Sequence, residues 1–215
     1  SLQVGFLGKT LAALEIVAAT QLAVGNLGDE PHGVLRVSAT ITFGRLYVAP
    51  LLPRLAEQYP RLSCELLLTD QVVDLADEQI DLALRMTRTP PQDAVVRKLA
   101  TLERVICAAP AYLAAHGTPR TAADLAEHQT LSYLLTDDNR WHLVPVTSRV
   151  RTNNTDCLLD LALRGHGLAI LPLYLAAPHI AGQRLQAVLP GYETHTRFGR
   201  HLYACYTPSR VRVPK

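Results

Sequence analysis

Apolar positions recur at two rhythms along this chain, and the change between them divides it. Leu7, Leu11, Leu14 and Ala18 are spaced four, three and four apart, which predicts a helix over 7–24. The seam covers little more than two heptads, too few for a stable coiled coil alone. The helix either packs on the body of the protein or is the stump of a longer dimer helix. The breaker-rich stretch 25–33 closes it.

Beyond Gly33 short apolar runs alternate with helical stretches. Strands are expected over 34–37, 64–68, 82–85, 95–99, 105–108, 131–135, 141–150, 168–171, 185–188 and 202–206. A helix over 40–59 should break near Ala49, because Pro50 and Pro53 fall inside it and a prolyl nitrogen donates no hydrogen bond. Further helices are expected over 72–78 and over 110–116, the latter ended by Gly117 and Pro119. Thr121 opens a short helix with Asp124 three residues on, a capping pattern. The helix over 157–163 is capped by Asn154 or Thr155 and stopped by Gly165, His166 and Gly167, and another begins over 172–177. Strand, helix and strand in this alternation predict an α/β fold with mostly parallel sheet. Two doubly wound lobes fit the length better than one sheet. In such folds ligands bind at the carboxyl ends of strands, where helix N-termini point.

Composition narrows the class without naming a function. With 215 residues, 48% of them hydrophobic and 19% charged, the chain has apolar material enough for a core, which excludes a disordered segment. No apolar run reaches the ~18 residues that span a bilayer, and no secretory leader pattern opens the chain, so a cytoplasmic protein is expected. A net charge of +2 neither points to nucleic acid nor argues against it. Cys64, Cys107, Cys157 and Cys205 lie in or beside apolar runs with no metal-ligand spacing, which favours buried free thiols over disulfides or reactive sites.

Enzyme patterns are missing. There is no phosphate-binding loop, no nucleophile elbow and no His-x-x-x-His among the eight histidines, most of which follow helix ends or sit in polar loops as surface residues do. Ser38 is the one serine at a strand end facing a helix start, and as a nucleophile it would need a base. The acidic residues Glu65, Asp70, Asp74, Asp77, Glu78 and Asp81 alternate with apolar ones, which reads as solvated faces rather than a metal site. Two hydroxyl- and amide-rich segments remain, 38–42 and 151–155, each leading into a helix. They are N-caps, or they offer N–H groups and hydroxyls to an anionic or polar small molecule. Arg85, at a strand end, adds a carboxylate clamp or an inter-strand ion pair.

An ordered series of segments resembles the effector-binding domain of the LysR-type transcriptional regulators. It runs through Gly33-Val-Leu-Arg-Val-Ser-Ala-Thr-Ile-Thr-Phe-Gly-Arg45, Ala49-Pro-Leu-Leu-Pro-Arg-Leu, Tyr59-Pro60 and Val73-Asp-Leu-Ala-Asp-Glu-Gln-Ile-Asp-Leu-Ala-Leu-Arg85. It continues through Arg104-Val-Ile-Cys-Ala-Ala-Pro-Ala-Tyr-Leu, Asn153-Asn and Gly165-His-Gly-Leu-Ala-Ile-Leu-Pro172. The resemblance implies two Rossmann-like lobes of the type II periplasmic-binding-protein kind with a small effector bound between them, no catalysis, no cofactor and no metal. It places a linker helix and hinge over 1–32, lobe one over 33–101 plus 206–215, and lobe two over 102–205. It assigns effector contacts to Thr40, Ile41, Thr42, Thr69 and Arg85, and to Asn153, Asn154 and Thr155 with Leu171 and Pro172 nearby.

The resemblance also implies a homodimer or homotetramer, with residues 49–59 and 64–68 of one copy against 157–164 of another. Ser1–Gly5 look like the end of the family's DNA-binding wing, so promoter DNA would be met only through a helix-turn-helix before Ser1. Gln79 stands where the family usually has Gly, which costs ~1 kcal/mol if the turn needs a positive φ. A solute-binding protein of a transport system shares the fold and is the alternative, and an enzyme on the same fold would need Ser38 or a histidine.

Overall fold

A computed structural model describes residues 10, 12, 31–71, 74, 75, 77–133, 148–190 and 199–206. The helix expected over 7–24 lies outside the described residues except for Thr10 and Ala12, as do the ends of the strands expected over 131–135 and 141–150.

The chain divides into two compact units, Ser1–Thr101 with Phe198–Lys215, and Leu102–Arg197. Unit one carries β1 (Gly33–Ala39), β2 (Leu62–Leu68), β3 (Leu82–Met86), β4 (Val95–Thr101) and β10 (His201–Tyr206), in the order β2-β1-β3-β10-β4. Unit two carries β5 (Arg104–Ala108), β6 (Thr130–Tyr133), β7 (Val150–Thr152), β8 (Leu168–Pro172) and β9 (Gln186–Val188), in the order β7-β6-β8-β5-β9. In each sheet four strands run one way and one, β10 or β5, runs against them. The two units thus share one topology, and each reversed strand is the first that the unit gains after the chain changes unit. Residues 202–205, expected in the second lobe, instead belong to β10, which pairs with β3 and β4 of the first sheet. Strand periodicity carries no information about which sheet a returning strand joins.

The region 40–59 is a continuous helical run over 41–58 that changes pitch. It is α-helical over Ile41–Phe43, a π-turn over Gly44–Val48, a 3-10 turn over Ala49–Leu51, and α-helical again over Leu52–Gln58. The irregularity falls where Pro50 and Pro53 remove N–H donors, close to the break expected at Ala49. This run buries Phe43, Val48 and Leu55, and the central strands bury Leu35, Val37, Leu82 and Leu84. Gly44 lets it approach closely, since a Cβ there would collide with the Leu68 side chain and lie 3.0 Å from Ala39 Cβ.

Of the helix expected over 72–78, residues 72, 73 and 76 lie outside the described residues, and 74, 75, 77 and 78 are not helical. The described ones make a turn in which Asp74 Oδ1 accepts from Asp77 N at 3.1 Å and Leu75 O accepts from Ile80 N at 2.9 Å. Gln79 closes it with φ +55°, the positive value that glycine would supply freely. Its side-chain oxygen accepts from Arg36 Nη1 at 3.3 Å, which offsets part of the cost.

In unit two the helix Pro110–His116 ends at Gly117. Its Tyr112 packs with Ile106, Leu113, Leu168 and Val188 in the core. Thr121 and Asp124 form the expected box at the start of Ala122–Glu127: Thr121 N donates to Asp124 Oδ2 at 3.0 Å and Thr121 Oγ1 to Oδ1 at 2.8 Å. His128 departs from the surface reading of the histidines. It is buried, with Nδ1 3.2 Å from the Tyr112 hydroxyl, which also accepts from Gln129 N at 2.9 Å.

Candidate functional site

Three parallel strands of unit one end side by side, and their ends carry five of the ten effector contacts named above. The register Ala39↔Leu68 sets residues 40 and 41 beside 69 and 70. Thr69 N donates to Ala39 O at 3.0 Å and extends that ladder by one bond. β3 flanks β1 on its other side and presents Arg85 next to its end.

Arg85 ties the three strands together. Nη2 donates to Ser38 Oγ and Nη1 to the Thr69 carbonyl, each at 2.6 Å. Ser38 Oγ in turn donates to Leu67 O at 3.3 Å. The one serine placed as a possible nucleophile is fully buried, and among the described residues its hydroxyl meets a cation and a carbonyl rather than an imidazole. Burial pulls the Arg85 guanidinium below its ordinary value, and Asp70 is foremost among the charges that draw it back up. A guanidinium stays protonated in either case.

Thr40 precedes the helical run with extended φ, ψ of −62° and 145°. It sits where an N-cap hydroxyl would take a helix N–H. It does not do so: its Oγ1 is buried and meets no hydrogen-bond partner among the described residues. The N–H of Ile41 goes instead to Asp70 Oδ1 at 3.1 Å. Thr42 is buried one residue further on. Thr40, Ile41, Thr42, Thr69 and Arg85 are thus brought together, with Asp70 among them.

Asp70 joins these residues although its alternation with apolar neighbours points to a solvated face. Other acidic residues of that series are also engaged: Glu65 Oε2 accepts from Arg36 Nε at 2.7 Å and Asp81 Oδ2 from Arg36 N at 2.8 Å. Among the described residues no three His, Cys, Asp or Glu side chains converge as a metal site. The missed signal was spacing, because Asp70 follows Ile41 by 29 residues, one strand-helix-strand repeat.

Unit two holds the other candidates along the carboxyl edge of its own sheet. Asn154 is the cap of Thr155–Leu163, its Oδ1 accepting from Cys157 N at 2.9 Å, and Asn154 N donates to Thr152 Oγ1 at 3.2 Å. Asn153 is exposed and Thr155 half-buried beside it. Leu171 and Pro172 end β8, two strands from β7 in the sheet order and so about 10 Å away. Leu171 is fully buried in the core and Pro172 is buried as well, so that edge offers the start of Leu173–Ala181 beside Pro172. Arg104, opposite Pro172 in the pairing, is half-buried there, and desolvation lowers its pKa.

Paired α/β units of one topology, each with polar groups at the carboxyl ends of its parallel strands, define a ligand-binding domain of the type II periplasmic-binding-protein kind. The LysR substrate binding domain family matches residues 28–215, and the chain belongs to that family. It is a LysR-type effector-binding domain. The chain is 32% identical over 186 residues to the HTH-type transcriptional regulator DmlR of Escherichia coli K12, covering 79% of this chain and 61% of DmlR. It is 31% identical over 218 residues to the probable HTH-type transcriptional regulator LtrA of Klebsiella pneumoniae, covering 94% of this chain and 71% of LtrA. Among solved structures, the regulatory domain of CrgA, a LysR-type transcriptional regulator from Neisseria meningitidis, superposes with a TM-score of 0.72 at 26% identity, covering 85% of this chain and 92% of that one. The chain spans about three fifths of the length of DmlR. These relatives are transcriptional regulators rather than enzymes or transport proteins. No described helix is long and apolar enough to cross a membrane.

Proposed function

We propose that this domain senses a small polar effector at the strand ends of unit one, with Thr40, Ile41, Thr42, Thr69 and Arg85 as its contacts. The Thr40 hydroxyl carries the reading: a buried polar atom without a partner is uncommon in a folded protein. Arg85 fits as a residue that shapes the site, because two of its donors already brace Ser38 and Thr69. In unit two, Asn153, Thr155 and Pro172 are the proposed contacts. Asn154 contributes through its side-chain amide nitrogen, since its oxygen serves the helix cap.

Around this sensing role we place self-association of the domain in the cytoplasm and a DNA-binding region elsewhere in the regulator. An effector that prefers one lobe arrangement then shifts the population and with it promoter binding.

Thermal-shift screening against small metabolites tests the site. A hit should stabilise the wild type and lose that stabilisation in Thr40→Val, which keeps shape and removes only the hydroxyl. A hit whose shift survives Thr40→Val unchanged places its site elsewhere.

A further inference from the structure

The start of the helical run would ordinarily attract an anion, because its first N–H groups have no partner within the helix. Here Asp70 already holds the N–H of Ile41, at 3.1 Å. The guanidinium of Arg85, which braces the same strand ends, also feels Asp70 ahead of Cys205 and Glu78. What remains open at this point is the Thr40 hydroxyl, buried and without a partner among the described residues, one residue before the N–H that Asp70 holds. A carboxylate accepts hydrogen bonds and repels a second anion, while a hydroxyl can either donate or accept.

We propose that Asp70 is a specificity-determining residue of the effector site, selecting a ligand that brings a hydroxyl or ammonium donor to the helix start and rejecting one that brings a bare carboxylate there. The inference rests on the reading of Thr40 as an effector contact and deepens it. The ligand's donor meets Asp70, and Thr40 Oγ1 gains a partner in the same event. Any carboxylate on the effector must lie away from Ile41, because Asp70 repels a like charge brought to hydrogen-bond range. Asp70 therefore reverses the preference that a helix start has by default.

Sulfate serves as an acceptor-only probe, titrated into the 15N-labelled chain at ionic strength held constant with sodium chloride. The Ile41 and Thr42 amide resonances report on the site directly. In the wild type they should stay in place. In Asp70→Ala they should shift saturably, with sulfate bound at least about tenfold more tightly, as expected when a like charge is removed. Asp70→Asn keeps an oxygen for the Ile41 N–H and removes the charge, so its affinity should lie between the two. If Asp70→Ala does not fold, Asp70→Asn against wild type decides the question by charge alone. Equal sulfate affinity in wild type and variant overturns the proposal, whether both bind or neither does. The comparison needs no effector. A screen in which Thr40→Val changes nothing would remove the effector-site reading while the sulfate result stood on its own.

Discussion

Thr40 and Gln79 both sit in states that cost free energy, and they differ in what the cost secures. A buried hydroxyl without a partner is destabilising by the desolvation it suffered, so Thr40→Val should leave stability unchanged or raise it by up to about 1 kcal/mol. Urea unfolding measures this, and a loss of stability would mean that the hydroxyl has a structural bond. Gln79 at φ +55° is strained for a residue with a Cβ, yet it holds Arg36 through its amide oxygen. Gln79→Gly relieves the strain and Gln79→Ala keeps it, while both delete that bond. The glycine variant should therefore be the more stable of the two by about 1 kcal/mol, and equal stabilities would show that the turn carries no strain.

At the scale of elements, caps and breakers were the most legible features, because they act locally. Asn154, the Thr121–Asp124 box and Gly117 lie where the pattern of residues puts helix ends. The Asp124 carboxyl accepts from Arg120 N, Thr121 Oγ1 and Thr121 N, and these bonds hold its pKa below the ordinary carboxylate value. A depressed folded-state pKa stabilises above the unfolded value, and the benefit fades as pH falls through the folded one. Asp124→Asn should thus be less stable than wild type at neutral pH, with the gap closing in acid. Urea midpoints at both pH values test this, and a gap independent of pH would assign the loss to something other than the charge. What the sequence left unreadable depends on partners distant along the chain. The 72–78 stretch has helical spacing, but the Asp74 carboxylate accepts from Asp77 N in a turn and Gln79 takes a positive φ. Asp70 looked solvated because its partner, the Ile41 N–H, belongs to the neighbouring strand's exit. Of the proposed contacts, those in unit one converge because parallel strands of one register end together, a property of the sheet rather than of any segment.

At the scale of the molecule, the first sheet presents an edge strand that a monomer would have reason to cover. β2 pairs with β1 on one side only in the sheet order, and Leu67 on β2 is 41% exposed. Val34, which pairs across from Ser63 on the same face, is 40% exposed. Natural sheets guard an open edge with charges or prolines, or cover it. Glu65 is the one charge on β2, and it is paired to Arg36 of β1. The occupant we propose is a second copy, whose helix Thr155–Leu163 carries half-buried Leu161 and Leu163 and exposed Cys157. The chain should then run in sizing with light scattering at twice its 23.6 kDa at micromolar concentration. Leu67→Glu should bring it to the monomer mass without loss of helical circular dichroism, since the side chain is already partly in solvent. A wild type that stays monomeric across that range would leave β2 without this partner. An Leu67→Glu variant that stays dimeric would move the contact to another face.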